Sequence, residues 1–130
     1  HENAQKYYFH DLDPWFEYNQ NYYYYKIHDF PKLYAFLKTV PCVNHGMIAV
    51  MEGSVSIPAH RAESNLQLRY HLTLEGTSNL TTEFDIHQHK PGEDVLFDHA
   101  RHHSVDKTGE EKRVVLILDI NRFYKFPCIK

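Results

Sequence analysis

Residues 66–74 read LQLRYHLTL, and this stretch decides the fold class of the chain. Polar and apolar residues alternate along it, which predicts a β-strand, because successive side chains of a strand point to opposite faces. Arg69, His71 and Thr73 share one face, while Tyr70 and the leucines share the other. We predict that the leucine face packs in the core and that His71 lies on the opposite, more polar face.

Short strands of the same kind follow residue 47 at intervals typical of an all-β domain. They include MIAVM at residues 47–51 and RVVLILDI at residues 113–120, and turns rich in Gly, Pro and Asp separate them. Four consecutive tyrosines at residues 22–25 predict a further extended segment with one face packed. The pattern as a whole predicts a sandwich or a small barrel.

One short helix is predicted before these strands. Asp29 and Pro31 form a start signal, and Pro41 ends the segment. Between them, apolar residues recur with helical spacing: Leu33, Phe36, Leu37 and Val40. We expect this helix to cover one side of a sheet.

The composition is that of a single globular domain, which we assign to residues 1–130. The chain is 42% apolar and 15% aromatic, which is ample material for a core. Its net charge of −3 provides no basic field, so nucleic acid and anionic membrane surfaces are excluded as partners. No apolar run approaches the roughly 20 residues of a membrane helix. We expect a soluble domain without a membrane span. The compartment is not fixed by the sequence, although the cytoplasm is slightly favoured, and the oligomeric state stays open.

Cysteine usage adds little to this assignment. Cys42 and Cys128 are too few for a disulfide scaffold and are not spaced as a metal-binding pair. The chain begins at His1 instead of Met, which is typical of a partial or processed sequence. The redox environment is therefore not constrained.

Histidine is unusually frequent, with 11 residues in the chain. Five of them fall in one short stretch: His87, His89, His99, His102 and His103. A surface or supporting role is the ordinary one for a single histidine, and His102 is predicted to lie on the surface. His87 and His89 share a strand face, so a second, adventitious metal site there is an open alternative.

The last turn of the chain suggests a pairing between a histidine and an arginine. His103 and Arg113 each lie five residues from Thr108, so a hairpin centred there would place them nearly opposite one another. Arginine is hard to bury without an anion, and its position therefore predicts a carboxylate partner. Two alternatives stay open. Arg113 could form an ordinary ion pair with Glu110 or Glu111. His71 and His103 could form a polar pair that binds no metal.

One polar sheet face is predicted to carry His71, Thr73, His103 and Arg113. Such a face resembles the interior of the double-stranded β-helix oxygenases, which hold Fe(II) through a His-x-carboxylate pair and a distant His. The motifs also resemble the aspartyl/asparaginyl β-hydroxylase family over residues 30–119. The matching segments are FPKLYAFLKTVP, GSVSIPAHRAESNLQLRYHL, the turn glycine Gly92, VLFDHARHHSV and RVVLILDI. The resemblance implies an all-β, cupin-like jelly roll with one or two short flanking helices.

The resemblance also implies a catalytic site and its cofactors. His71 and His103 match iron-binding histidines, and Arg113 matches the arginine that binds the distal carboxylate of 2-oxoglutarate. These three are the expected catalytic residues, with Fe(II), 2-oxoglutarate and O2 as cofactor and co-substrates. A second group, His60, Asn65 and Arg69, matches residues near the cofactor pocket.

The chain departs from the family pattern at several positions. Thr73 stands where a facial triad has its carboxylate, although the best-known branch of the family also uses two histidines with water there. Thr81 lies where an arginine is frequent, His89 where tryptophan is usual, and His99 replaces the second Asp of an FDD motif. These differences bear on the substrate more than on the iron chemistry.

The expected function is hydroxylation of an unactivated carbon. The first substrate class is the β-carbon of Asp or Asn in a peptide or a free amino acid. Two alternatives are a lipid acyl-chain hydroxylase of the same family and a non-catalytic jelly-roll module that binds a metal or a small acid. An apolar tunnel would favour a lipid, and basic residues around the mouth would favour an acidic peptide.

Overall fold

The computed structural model describes residues 4–9, 20–62 and 64–123. Ten strands and one α-helix occur in this part of the chain. Their bounds are β1 Tyr7–Tyr8, β2 Tyr22–Lys26, α1 Pro31–Leu37, β3 Val43–Met51, β4 Val55–His60, β5 Gln67–Glu75, β6 Ser78–Thr82, β7 Ile86–His89, β8 Asp94–Phe97, β9 His103–Lys107 and β10 Arg113–Asn121. None of these described elements is a helix long and apolar enough to cross a membrane.

The strands form two antiparallel sheets that share a core. The six-stranded sheet has the order β1-β2-β3-β10-β5-β8, and the four-stranded sheet has the order β4-β9-β6-β7. Apolar side chains from both sheets interlock between them: Met51, Val55, Ile57, Leu80, Phe97 and Val105. The predicted all-β jelly-roll architecture is thus confirmed. It forms because each short strand of alternating residues can bury one face against the facing sheet.

The orientation predicted for β5 is wrong. Its face with His71 and Thr73 points between the sheets, where the two side chains are only 5% and 1% exposed, while Leu74 on the other face is 48% exposed. The outer face packs partly under α1, where Tyr70 and Leu72 meet Leu37 and its neighbours. The polar face of β5 therefore belongs to the interior of the protein.

The predicted hairpin between His103 and Arg113 is also wrong. β9 pairs with β4 and β6 in the four-stranded sheet, whereas β10 lies between β3 and β5 in the six-stranded sheet. The chain crosses between sheets because β10 is apolar on both faces and needs covering on both sides. The buried Lys107 anchors this crossing by donating from Nζ to the carbonyl oxygens of Gly53, at 2.6 Å, and Gly109, at 2.9 Å.

The two N-terminal predictions need smaller corrections. Helix α1 begins with Pro31 as predicted but ends at Leu37, and Phe36 of the predicted apolar stripe is 63% exposed. The tyrosines form strand β2 as expected, yet both of its faces are packed. Tyr24 joins an interior cluster, and Tyr23 donates a 2.7 Å hydrogen bond to Glu52 on the other face.

A close approach at Gly76 fixes the start of β10, and it generates a stability prediction. Gly76 has φ of +75°, and a Cβ there would overlap the carbonyl oxygen of Lys112 and lie 2.8 Å from Cα of Arg113. The matched control is Gly109, whose φ is +91° but whose Cβ would meet nothing within 4 Å. Gly109→Ala should cost about 1–2 kcal/mol through its backbone conformation alone.

Gly76→Ala should cost about 1–3 kcal/mol more than the control, because the chain must also shift away from the new methyl group. Urea unfolding of both variants and the parent measures the difference. Equal losses for the two variants would show that the contact with Lys112 and Arg113 does not constrain the strand.

Candidate active site

Two histidines meet on neighbouring strands at one end of the four-stranded sheet. His60 ends β4 and His103 begins β9, and the centroids of their rings are 4.3 Å apart. A register shift just before His60 accommodates Pro58, which has no N–H to give to a strand ladder. Each ring donates its Nδ1–H to a backbone carbonyl at 2.9 Å: His60 to Pro58 and His103 to Arg101.

These hydrogen bonds determine what the pair can bind. A neutral imidazole carries one N–H, so donation from Nδ1 leaves the lone pair on Nε2. The pKa of His103 is lowered to about 4, mainly by burial and also by the nearby His60 and Arg69, although the hydrogen bond to the Arg101 carbonyl acts in the opposite direction; this ring is therefore neutral at physiological pH. Neutral imidazoles held in this way, by a backbone carbonyl on the second nitrogen, are typical metal ligands.

A second pair of histidines lies deeper in the interior. Nδ1 of His71 is 3.1 Å from Nε2 of His89, and Nδ1 of His89 is 2.6 Å from Oγ of Ser78. Burial lowers the pKa of His71 well below its ordinary value and lowers that of His89 to about 3. Both rings are therefore neutral. Nε2 of His71 is buried and has no hydrogen-bond partner among the described residues.

Arg113 is the most deeply buried charged side chain in this region, at 2% exposed. Its face of β10 is also the face of Val115, which is the register partner of Thr73. Nε and Nη2 of Arg113 and Oγ1 of Thr73 have no hydrogen-bond partner among the described residues. Burial lowers the pKa of Arg113 only to about 10, so the guanidinium stays charged at neutral pH. These unpaired groups, together with His71, fit a carboxylate.

One residue of each histidine pair contacts the same aromatic ring. The ring of Phe97 lies 4.9 Å from that of His71 and 5.3 Å from that of His103, measured between centroids. Arg69 lies on the same face of β5 and forms a 3.0 Å ion pair with Asp119 on β10. Its charge helps to lower the pKa of both His71 and His103.

The other predicted site residues are distributed unevenly. Asn65 is exposed in the loop between β4 and β5, where its backbone oxygen accepts a hydrogen bond from Arg122. His102 is exposed, as predicted, and His99 is buried near Arg69. The alternative ion pairs of Arg113 with Glu110 or Glu111 are not found in the described part of the chain, and both acids are exposed.

Metal ligation by His71 and His103 stays a prediction. Within the described residues, no group of three or more His, Cys, Asp or Glu side chains is placed to hold a metal ion. The alternative site at His87 and His89 gains no support, because both ring nitrogens of His89 already face hydrogen-bond partners. Sequence reasoning missed the pairing of His60 with His103 and the contact of His89 with His71. The contacts join residues far apart in sequence, and only the strand order of the four-stranded sheet could have revealed the first.

A groove of about 720 Å³ opens beside the Arg69–Asp119 ion pair. Apolar side chains form part of its wall, among them Ile27, Leu37, Val43 and Met47. Basic side chains also line it: Lys26, Lys38 and His45. The groove therefore combines an apolar surface with basic side chains, and it adjoins Arg69, which lies on the same face of β5 as His71.

Comparison with solved structures defines the class of fold. The chain superposes on a predicted oxalate decarboxylase from Thermotoga maritima with a TM-score of 0.57 and 15% identity, over 77% of this chain and 80% of that one. It matches a sugar phosphate isomerase of the cupin superfamily from Silicibacter pomeroyi with a TM-score of 0.55 and 13% identity, over 78% of this chain and 60% of that one. The fold is therefore cupin-like.

Sequence comparison then identifies the family. The sequence model of the aspartyl/asparaginyl β-hydroxylase family matches residues 9–123, so the chain belongs to that family. A curated relative, the ornithine lipid ester-linked acyl 2-hydroxylase of Rhizobium tropici, is 29% identical over 103 residues. The match covers 75% of this chain but only 37% of that relative.

The buried neutral histidines generate a prediction about acid stability. The pKa of His89 is about 3 in the folded chain and about 6.5 when the chain is unfolded. Only the unfolded state takes up this proton as the pH falls from about 6.5 towards 3, so the folded state loses stability across that window. His89→Gln should reduce the slope of unfolding free energy against pH by up to about 1.4 kcal/mol per pH unit.

The measurement is urea unfolding of the parent and the variant at several pH values between about 7 and 4. His102→Gln is the control, because its ring is exposed to solvent in the folded chain. An unchanged slope in His89→Gln would mean that His89 takes up its proton equally in both states.

Proposed function

We propose that this chain is a hydroxylase that requires Fe(II) and 2-oxoglutarate. The observation that carries the proposal is the buried Arg113, whose guanidinium lies beside His71 and Thr73 without an acidic partner among the described residues. A buried cation of this kind is stabilised by a bound carboxylate. Membership of a hydroxylase family and the hydroxylase relative support the reaction type.

His60 and His103 are the residues that we assign to Fe(II). Their rings are adjacent, and their Nδ1 hydrogen bonds to backbone carbonyls leave both lone pairs on Nε2. This differs from the pair inferred from the sequence, which was His71 and His103. Nδ1 of His71 contacts another imidazole instead of a carbonyl, so its tautomer is not restricted in the same way.

We assign 2-oxoglutarate to the interior pocket next to this pair. The Arg113 guanidinium and the Thr73 hydroxyl donate to its distal carboxylate, and His71 contributes from the same sheet face. Phe97 contacts both His71 and His103 and so provides an apolar surface shared by the two histidine groups. When bound, iron and 2-oxoglutarate together supply the oxidising chemistry with dioxygen that converts a C–H bond into a C–OH group.

The groove beside Arg69 is the proposed substrate entrance. Its basic side chains suit a carboxylate, as in the Asp of a peptide or in a free amino acid. A lipid acyl chain is the second candidate, favoured by the apolar part of the groove wall and by the activity in the relative's name. Product analysis with an acidic peptide and with an ornithine lipid distinguishes the two.

The metal assignment predicts different results for the three histidines. His60→Ala and His103→Ala should each abolish tight Fe(II) binding, because each removes one of two protein ligands. His71→Ala should retain the metal and lose affinity for 2-oxoglutarate. Anaerobic titration calorimetry measures both ligands, and His102→Ala, an exposed neighbour of His103, is the control.

The opposite pattern would restore the pair inferred from the sequence. If His71→Ala loses Fe(II) while His60→Ala binds it as tightly as the parent, then His71 and His103 are the ligands. Circular dichroism of each variant establishes that the fold is retained.

Arg113 generates the test of the reaction itself. The parent should release succinate from 2-oxoglutarate when iron and ascorbate are supplied. Arg113→Lys should raise KM for 2-oxoglutarate because the paired geometry is lost, and Arg113→Ala should raise it more. The loss expected for a charged hydrogen bond is about 1.5–3 kcal/mol, or roughly tenfold to a hundredfold in affinity.

The control is Arg101→Ala, since Arg101 is largely exposed and lies outside this pocket. Fe(II) affinity should be the same in all four proteins. Succinate release with an unchanged KM in Arg113→Ala would make the arginine structural. No succinate from the parent would favour a module that only binds a metal or a small acid.

A further inference from the structure

Ser78, His89 and His71 form a continuous hydrogen-bonded chain that leads from β6 through β7 to β5. All three side chains are buried, and His89 is completely inaccessible to solvent. The hydrogen-bonded chain begins at a hydroxyl group and ends at Nε2 of His71, which has no hydrogen-bond partner among the described residues. Because both imidazoles are neutral, each carries a single N–H, and the protons along the chain must all run in one direction.

The distances favour one direction. Hydrogen bonds from O–H donors are typically about 2.5–3.0 Å long, and those from N–H donors about 2.7–3.2 Å. Ser78 and His89 are 2.6 Å apart, which fits a hydroxyl that donates to Nδ1 of His89. His89 then carries its proton on Nε2 and donates to Nδ1 of His71, across a 3.1 Å contact whose length is compatible with an N–H on either ring.

Counting the hydrogen bonds supports the same direction. If the protons ran the opposite way, the Ser78 hydroxyl would have no acceptor in the described part of the chain, and His71 Nε2 would have no donor. If donation starts at Ser78, every O–H and N–H in the hydrogen-bonded chain has an acceptor except the N–H on Nε2 of His71. That last N–H is unpaired, as are the hydroxyl of Thr73, two residues along the same face of β5, and two nitrogens of Arg113, whose charge acts on His71.

We propose that Ser78 and His89 are positioning residues that hold His71 as an Nε2–H donor to the carboxylate bound by Arg113. His89 fixes the tautomer and the ring orientation of His71, and Ser78 fixes the tautomer of His89. The inference deepens the proposed function, since it assigns how the 2-oxoglutarate pocket is kept ready for an anion. It also explains the histidine at position 89, where the resembling family usually has tryptophan.

The tautomers are measured directly on this 130-residue chain, without metal or co-substrate. Long-range ¹H–¹⁵N correlation spectra of protein labelled with ¹⁵N-histidine distinguish a protonated ring nitrogen from one with a lone pair. We expect Nε2–H for both His71 and His89. A proton on Nδ1 of either ring would overturn the proposal, and on His71 it would restore that residue as a possible metal ligand.

Variants of His89 test whether the chain acts on the pocket. His89→Phe should leave His71 in a mixture of tautomers, and His89→Gln should preserve Nε2–H, because the amide can still donate to Nδ1. An apparent affinity falls in proportion to the competent fraction, so His89→Phe should weaken 2-oxoglutarate binding about twofold to tenfold. His89→Gln should recover most of this loss, and Fe(II) affinity should stay unchanged in both.

Two further variants complete the set. His87→Phe removes the neighbouring imidazole on β7, which is outside the hydrogen-bonded chain, and should leave the His71 tautomer as in the parent. Ser78→Ala is the mildest change and should let His89 sample both tautomers even if His89→Phe folds poorly.

The outcomes separate this inference from the proposed function. If the parent does not bind 2-oxoglutarate, the proposed function fails. The measured tautomers still show in which direction the hydrogen bonds between Ser78, His89 and His71 are donated. If the parent binds it and His89→Phe binds it equally well, the positioning role is wrong although the proposed function stands.

Discussion

The structure depends on one costly constraint, a guanidinium that is buried between two sheets and has no acidic partner in the part of the chain that the structure describes. Removing an ion from water costs several kcal/mol even after the protein relaxes, roughly half or more of the stability of a small domain. Arg113 keeps its charge in spite of this, because burial lowers its pKa only to about 10. The rest of the fold must therefore compensate for this buried charge, and the carboxylate ligand proposed above would share in that compensation.

Several features of the fold hold Arg113 in that position. The close approach of Gly76 fixes the chain just before β10. Strand β10 is paired along both edges within the six-stranded sheet, and most of its residues are buried on both faces. A register shift follows at once between Val114 and Val115. An anion that binds the folded chain and not the unfolded chain would add stability through mass action, so ligand binding and folding are coupled at this residue.

The histidines show how one side-chain chemistry can serve two roles. Burial keeps His71, His89 and His103 neutral, so each presents one donor and one acceptor nitrogen. Whether the nitrogen that faces the pocket is a donor or an acceptor depends on the hydrogen-bond partner of the other ring nitrogen. A backbone carbonyl can only accept, so it commits His103 to a lone pair on Nε2, whereas the imidazole of His89 can commit His71 to the opposite form.

The limits of prediction from this sequence follow from the range of each signal. Alternation within residues 66–74 correctly grouped Arg69, His71 and Thr73 on one face, since that grouping depends only on neighbours along a strand. The same pattern could not tell which face was interior, because both faces carry apolar atoms and the choice depends on the facing sheet and on α1. The hairpin error has the same origin, since a five-residue connection can close a hairpin or cross between sheets.

The need of Arg113 for a carboxylate was predictable without its neighbours, because it follows from the chemistry of a buried cation. The partner of His103 was not, since His60 reaches it through the pairing of β4 with β9, more than forty positions apart in sequence. The ion pair of Arg69 with Asp119 is another contact between residues far apart in sequence, and both residues line the groove. Asp119 occupies a guanidinium that would otherwise compete with Arg113 for an anion, so of these two arginines only Arg113 is left without an acidic partner among the described residues.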